Sequence, residues 1–551
     1  MKQNLVSVVI LLGLVMGNGF LFSPISNTSL GATSERATTA HLPGSMPPAG
    51  NLSSPESSQS LSTTTDGRGY YIFRQLDDAS HQVWLDLMTL PAGLRPGEAG
   101  ASPRMLLHPG QSQVSDLLAG DVRFTASYDR EAGTLDGWVF RDGNRNGIFD
   151  ENETGLPQVT VFDPGVFVYF VPGHHGTAPP DVIDPVNGGM LDAYETIDSC
   201  TTDWSNDPAL GLDSIISVTA SNDNTTWFYD HWEDGYDADP LAPGAGSTTL
   251  TGTLSAGASQ IFQTRNDVFA APSTPPTVNT PASNYAFDGR DRITILGDPV
   301  NLTRNAWPSE RNTVLAGSWE AYPVNRWGTD FVIPAGEDLN DRDFLSVHLF
   351  IMAQADNTTV TYDLDGPGGN PPAAPVVLNQ GESIHRFNPT PPGVNASSVL
   401  SGATIQASAP VQVHMLAGGC DPSYTARGFH ILPDSRLENE YYLATPSFED
   451  ASCGIIDGND RFSRVYIRNA SGADISINWE TNSGSGSFTA PMQATTAFTN
   501  PDFDSGVRLY TNNANEEFTI LATVDQTQDY DWGYTPVPRT ELTSEVVLGW
   551  S

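Results

Sequence analysis

The chain has 551 residues, with 25 basic against 65 acidic side chains and a net charge of −40 at pH 7. So acidic a surface repels nucleic acid and anionic membranes, which excludes both as partners, and it suits a medium where calcium or salt screens the self-repulsion. Its 51 Gly and 41 Pro interrupt nearly every helical window, so many short strands and no amphipathic helix of useful length are expected.

Lys2, the only lysine, precedes an apolar run from Leu5 to Val15 that is too short for a bilayer span. Small residues follow at Gly17, Gly19 and Ala32, so residues 1–32 read as a cleaved signal peptide. An uncleaved anchor prolonged through Gly19–Phe22 is the alternative. No later segment is long and apolar enough to span a membrane, and export implies a secreted or cell-surface protein. Residues 33–66 are rich in Ser, Thr and Pro with almost no aromatics, the composition of a flexible linker.

Strand signals begin at Gly69. "GYYIFRQL", "HQVWLDLMTLPAGLRP" and "DVRFTASYD" (Asp121 to Asp129) alternate apolar and polar residues and end in turns. They are expected to close a partial β-sandwich over residues 67–130. A second unit, 131–180, opens at "LDGWVF".

From about Asp213 the chain repeats itself. "SIISVTASNDNTTWFYD" (Ser214 to Asp230) matches "SVHLFIMAQADNTTVTYD" (Ser346 to Asp363), and "SRVYIRNASGADISINWE" (Ser463 to Glu480) is a weaker third copy. Each is followed by a strand pair: "RITILGDPVNLTR", "GATIQASAPVQVHMLAG" and "GVRLYTNNANEEFTILATV". "RWGTDFVIPAGED" (Arg326 to Asp338) likewise matches "ENEYYLATPSFED" (Glu438 to Asp450). The period is the size of one β-sandwich, giving repeats over 181–325, 326–437 and 438–551. The last ends on the strand-like "ELTSEVVLGWS" and reads as an incomplete unit. The expected fold class is therefore all-β, with several Ig-like or transthyretin-like sandwiches in tandem.

The most specific motif is a twelve-residue loop. Asp142, Asn144, Asn146, Asp150 and Glu153 place side-chain oxygens at positions 1, 3, 5, 9 and 12, with Gly147 at the sharp turn and Ile148 offering its carbonyl at position 7. Calcium takes six to eight hard oxygen ligands, and this spacing supplies them from one stretch of chain. The flanks "LDGWVF" and "LPQVTVFD" read as strands, so the loop joins strands rather than the helices of an EF-hand.

These residues carry a resemblance. "GWVFRDGNRNGIFDENETGLPQVTV" resembles the opening of the B-type, Cna-B-like unit of bacterial serine-aspartate-repeat surface proteins. The resemblance implies a calcium-binding sandwich that acts as a stiff spacer, with Asp142, Asn144, Asn146, Asp150 and Glu153 as the matching calcium loop. "GYYIFRQL…TLPAGLRP" resembles the end of a preceding unit of that kind, and the likeness stops after Asp163. "GTDFVIPAGED" and "ASAPVQVHMLAG" are similar to the N-terminal region of IgGFc-binding proteins, which implies a binding or adhesive module with an extracellular protein or glycan as ligand.

"YDHWEDGYDAD" gathers Asp230, His231, Glu233, Asp234, Asp237 and Asp239. It can hold a second cation, form a carboxylate pair for glycoside hydrolysis beside Trp227 and Trp232, or be an acidic surface turn. "FDGRDR" (Phe287 to Arg292), "YDLDGPGG" and "IDGNDR" read as turn chemistry alone. His348, His385 and His414 can offer three imidazoles to zinc, but their spacing has no ligand signature and each can face solvent. His174-His175 sits in a Gly/Pro loop. Asn224 and Asn357 begin Asn-x-Thr sequences that also make good turns.

The three cysteines, Cys200, Cys420 and Cys453, allow three pairings or none. Cys420–Cys453 is favoured because the two flank one segment. No zinc-protease, nucleophile-elbow or nucleotide-binding motif is present. The chain thus reads as a secreted or surface structural and adhesive protein rather than an enzyme, with a glycan-binding or glycan-hydrolysing protein as the alternative.

Overall fold

The computed structural model describes residues 61–542, apart from stretches of which the longest are 95–103, 174–189, 201–211, 265–286, 309–316 and 448–461. The signal segment, most of the linker, His174-His175, Cys453 and "IDGNDR" lie outside the described residues. The described chain is all-β, as its turn-rich composition requires.

The first sandwich runs from β1 (Leu61–Thr64) through β2 (Tyr70–Arg74), β3 (His81–Leu85), β4 (Arg104–Leu107), β5 (Ser112–Val114), β6 (Val122–Asp129), β7 (Thr134–Arg141) and β8 (Thr154–Gly155) to β9 (Thr160–Asp163). One sheet has the order β1-β9-β3-β4; the other has β2-β7-β6-β5, with β8 on β7. Residues 61–64, expected in the linker, instead pair with the closing strand, Leu61 opposite Asp163. The division expected at 130/131 also fails. It would cut the β6–β7 hairpin, where Tyr128 lies opposite Leu135 and both side chains are buried in one core with Tyr71, Phe124 and Val161. Thus "GYYIFRQL" belongs to the unit that carries the acidic loop. Two halves would each bury too little apolar surface to be stable alone.

The second sandwich, the first repeat, begins at β10 (Val166–Phe170), inside what was expected to be the preceding unit. It continues with α1 (Met190–Ser199), β11 (Leu212–Ala220), β12 (Thr225–Asp230), β13 (Leu250–Leu254), β14 (Ser259–Thr264), β15 (Arg292–Leu296), β16 (Val300–Pro308) and β17 (Gly317–Ala321). The second repeat has β18 (Gly328–Val332), β19 (Ser346–Ala353), β20 (Thr358–Asp363), β21 (Val376–Leu378), β22 (Ser383–Phe387), β23 (Thr404–Gly418) and β24 (Arg427–Ile431). The third has β25 (Glu440–Leu443), β26 (Phe462–Arg468), β27 (Ile475–Glu480), β28 (Ser485–Ala490), β29 (Thr495–Thr499), β30 (Val507–Tyr510), β31 (Thr519–Asp525) and β32 (Trp532–Tyr534), with β33 (Val537–Pro538) added at an edge.

All three repeats share one topology. In the first, the sheets are β10-β15-β12-β13 and β14-β11-β16-β17; in the third, β25-β30-β27-β28 and β29-β26-β31-β32. The second joins its sixth and seventh positions into the single strand β23. Val360 on β20 pairs with Ala407, and Ala353 on β19 pairs with Val411, so the strand changes sheet at Ala409-Pro410. Proline has no N–H to give a ladder, which makes this a natural place for two ladders to part. The third repeat thus fills all eight positions and is not the incomplete unit expected; residues 543–551 lie outside the described residues.

One turn contact recurs in each copy. Asp223, Asp356 and Asp474, at the end of the turn between the second and third strands, accept from the main-chain N–H of Ala256, Gln380 and Met492 at 2.9, 3.0 and 2.8 Å. Each donor precedes a residue in the left-handed region: Gly257, Gly381 and Gln493. Asn224 and Asn357 also adopt positive φ, which asparagine tolerates. The matched "DNTT" is thus a shared turn, held by Thr225 and Thr358 hydroxyls donating to the carbonyls of Asn222 and Ala355.

Helix α1 was not expected. Met190, Ala193, Tyr194 and Ile197 fall at helical spacing and are buried against Leu212, Ala306 and Trp319 of the first repeat and Phe350 and Leu416 of the second. Cys200, just beyond it, is bonded to Cys420 rather than leaving Cys420 to Cys453. The bond ties the first repeat to the second because α1 lies on the outer face of β19. Further along, β17 lies against β24 and β24 against β32. A Cβ at Gly428 would come 2.3 Å from the Ser318 carbonyl oxygen, so only glycine admits the neighbouring backbone there.

Candidate functional site

The acidic loop connects β7 to β8 at one end of the first sandwich. Asp142, fully buried at the end of β7, accepts through Oδ1 from the Asn146 N–H (3.0 Å) and through Oδ2 from the Gly147 N–H (2.9 Å). Gly147 has φ +77°, the sharp turn its position requires. Arg123 Nε, on β6, reaches Asp142 Oδ2 at 2.6 Å. Burial alone raises the Asp142 carboxyl, but the Gly147 and Asn146 amides and the Arg123 guanidinium together hold it below the usual range.

Asn144 and Asn146 both donate from their side-chain amides to Asp150 Oδ2, at 2.7 and 2.8 Å. Turning either amide over presents its oxygen at the same point. Glu153 accepts from the Asp150 N–H through Oε2 at 3.1 Å, while its Oε1 is buried and meets no donor. Ile148 sits exposed at the loop apex, its N–H donating to Asn146 Oδ1. The side chains of Asp142, Asn144, Asn146, Asp150 and Glu153 are therefore drawn into one network around the loop. An orphaned buried carboxylate oxygen and this all-oxygen donor set fit calcium. The sequence missed Arg123, which lies outside the motif and reaches it only through β6–β7 pairing.

A second cluster lies where β12 ends and β15 begins, at adjacent ends of paired strands. His231 Nδ1 is 3.6 Å from Asp291 Oδ2 and 4.0 Å from Glu233 Oε2. Asp291 also accepts from Tyr229 Oη at 2.5 Å and from the Trp232 and Asp288 N–H groups, both at 3.1 Å. Trp232 Nε1 donates to Asp288 Oδ1 at 2.9 Å. Burial, with the neighbouring Asp291 charge, pushes the Asp288 carboxyl up to about 7. "FDGRDR" is therefore more than a turn: the Asp230–Arg292 register brings it against "YDHWED".

The other acids of that stretch are tied down separately. Asp237 Oδ2 accepts from Ser247 and Thr249, both at 2.6 Å; Asp234 accepts from Thr248; and Asp230 is paired with Arg292. Asp239 accepts from the Leu241 N–H. Trp227 and Trp232 are buried, at 7% and 6% exposure, so neither forms an open platform for a sugar ring. Of the three imidazoles considered for zinc, two are bonded to each other and the third has a different imidazole as partner. His348 Nδ1 lies 2.9 Å from His385 Nε2, whereas His414 pairs with His430 at 3.2 Å. None of them faces solvent: His348 on β19, His385 on β22 and His414 on β23 are all buried.

A family model described as IgGFc binding protein matches residues 317–523, from β17 through most of β31. Two curated relatives, each a serine-aspartate repeat-containing protein F, from Staphylococcus epidermidis and from its strain ATCC 12228 / FDA PCI 1200, are 28% identical over 102 residues. That stretch is 18% of this chain and 6% of each relative's length. No solved structure gives a significant match. The chain is thus similar in separate parts to two kinds of protein, and the likenesses suggest a β-rich extracellular structural or binding protein. No helix among the described residues is long and apolar enough to cross a membrane.

Proposed function

We propose that the chain is a secreted or cell-surface structural and adhesive protein, in which the first sandwich is a B-type spacer stiffened by calcium and the three repeats present loops to an extracellular protein or glycan. The convergence of Asp142, Asn144, Asn146, Asp150 and Glu153, with a buried Glu153 oxygen lacking a donor, carries this reading. Those five side chains and the Ile148 carbonyl would hold the ion, and its double charge would offset the repulsion among the three carboxylates.

The chain's own residues already do part of the work. Asp142 fixes the turn by taking two main-chain N–H groups, and the Arg123 guanidinium ties the loop to β6. Ordering of the loop is thereby linked to ordering of β6, β7 and β8. The disulfide between Cys200 and Cys420 suits an oxidising, extracellular compartment. The likeness of residues 317–523 to an IgGFc binding protein supports a ligand-binding role for the repeats.

Calorimetric titration with calcium tests the metal, with the Asp142→Ala/Glu153→Ala variant as control. Saturable binding that the variant loses is expected; equal heats from both proteins contradict the reading. Binding of the full chain to arrayed extracellular proteins and glycans tests the adhesive role, which fails if no surface retains it above the level of an acidic control protein.

A further inference from the structure

The three repeats keep the same strands but not the same chemistry where the third strand ends. In the first repeat Asp230 pairs with Arg292, and the adjoining residues are His231 and Asp291. In the second repeat Asp363 pairs with Thr404, and the adjoining residues are Leu364 and Ala403. In the third, Glu480 pairs with Arg508, and they are Thr481 and Val507. The fold therefore forms without a histidine–carboxylate cluster at this place.

The cluster concentrates negative charge away from water. Glu233, Asp288 and Asp291 are at most 5% exposed, beside one imidazole that is neutral unless it takes up a proton. The arginines alongside are bonded to other groups: Arg292 is paired with Asp230, and Arg290 lies over the Trp232 ring and donates to the Gly381 carbonyl. Buried Arg304, whose charge reaches Asp288 and offsets part of the repulsion, donates to Ser214 Oγ and the Pro172 carbonyl. Asp288 Oδ2 is buried and meets no donor. Burying carboxylates together is costly unless a cation joins them.

One ligand atom each from His231, Glu233 and Asp291 lies within 4.8 Å of the others. Ligands held at roughly 2 Å from zinc in a tetrahedron stand about 3.3 Å apart. The His231–Asp291 and His231–Glu233 separations of 3.6 and 4.0 Å need only a small contraction to meet this. An imidazole among the donors argues against calcium and magnesium, which take oxygen. Asp291 is further held in place by Tyr229 and the Asp288 N–H at Oδ2 and by the Trp232 N–H at Oδ1, so its carboxylate is already oriented toward His231. His231 and Glu233 retain 5% exposure each, so the cluster lies just below the surface, within reach of an ion.

We propose that His231, Glu233 and Asp291, with Asp288 beside them, form a zinc site at one end of the first repeat, separate from the calcium loop. The full-length protein, stripped by chelation and kept in excess calcium, is titrated with zinc chloride by calorimetry. One zinc per chain is expected, lost in His231→Gln/Glu233→Gln and kept in Asp142→Ala/Glu153→Ala. No uptake by the parent protein, or undiminished uptake by the His231 double variant, overturns the site. Because that variant alters buried groups, cobalt bound to the parent protein gives a second readout. A visible band of tetrahedral intensity and X-ray absorption fitting a single imidazole are expected. An octahedral spectrum, or two or more imidazoles, assigns the metal elsewhere and equally overturns the proposal.

Discussion

Arg436 donates from Nη1 to Glu541 Oε1 at 3.0 Å, although 105 residues separate them, and Arg326 reaches the other oxygen of the same carboxylate. The three residues occupy one position in three copies of a turn. Val324–Arg326, Asp434–Arg436 and Arg539–Glu541 each follow the eighth strand of a repeat and each is preceded by a proline in extended conformation. Arg436 also donates through Nε to the Arg326 carbonyl at 3.0 Å. The repeats therefore meet at their ends, where one copy supplies the acid and two supply the base. Glu541→Ala would leave two half-buried guanidinium groups without their shared partner, at a cost of about 2 kcal/mol. Thermal melts check this, and Glu541→Gln, which keeps one acceptor oxygen but neither the second acceptor nor the charge, should fall between.

Removing the Cys200–Cys420 bond frees a loop of 220 residues in the unfolded chain. On the chain-entropy view a bridge of that span stabilises by up to about 5 kcal/mol. Cys200→Ser/Cys420→Ser should therefore lower the melting temperature. Protection from hydrogen exchange should be lost first along α1 and the outer face of β19. Cys453→Ser should leave both unchanged.

Acid and base sides of the stability profile should respond to different residues. Burial holds His414 down to about 3, below its ordinary 6.5. Between those values the unfolded chain binds a proton that the folded chain refuses, so this contribution is full above 6.5 and lost as pH falls toward 3. His348 and His430 are displaced in the same direction. Burial pushes Glu337 up to about 7 from 4.5, so its contribution is full below 4.5 and lost as pH rises through 7. His414→Gln should flatten the acid limb of melting temperature against pH, and Glu337→Gln the limb approaching neutrality. Melts between about pH 4 and 8 decide this; parallel profiles for parent and variant proteins would contradict it.

What the sequence made legible was local. "DNTT" and its flanking strands revealed the repeat because Asp223 and Asp356 each hold a neighbouring turn, a contact encoded within about thirty residues. The acidic loop was readable for the same reason, since its donors are consecutive. Contacts set by distant pairing were hidden. The unity of the first sandwich depends on Leu61 meeting Asp163, and the second acidic cluster on Asp230 meeting Arg292. Helix α1 shows one short apolar stripe, and only its place over β19 explains both the burial of His348 against Thr196 and the choice of Cys200 as the partner of Cys420.

The central claim is that the loop from Asp142 to Glu153 stiffens the first sandwich by holding calcium. Thermal melting of the full chain, in calcium and again in chelator, tests it most directly. The account predicts a higher transition temperature in calcium, with the gain abolished by Asp142→Ala/Glu153→Ala. Superimposable melts in the two buffers would contradict it.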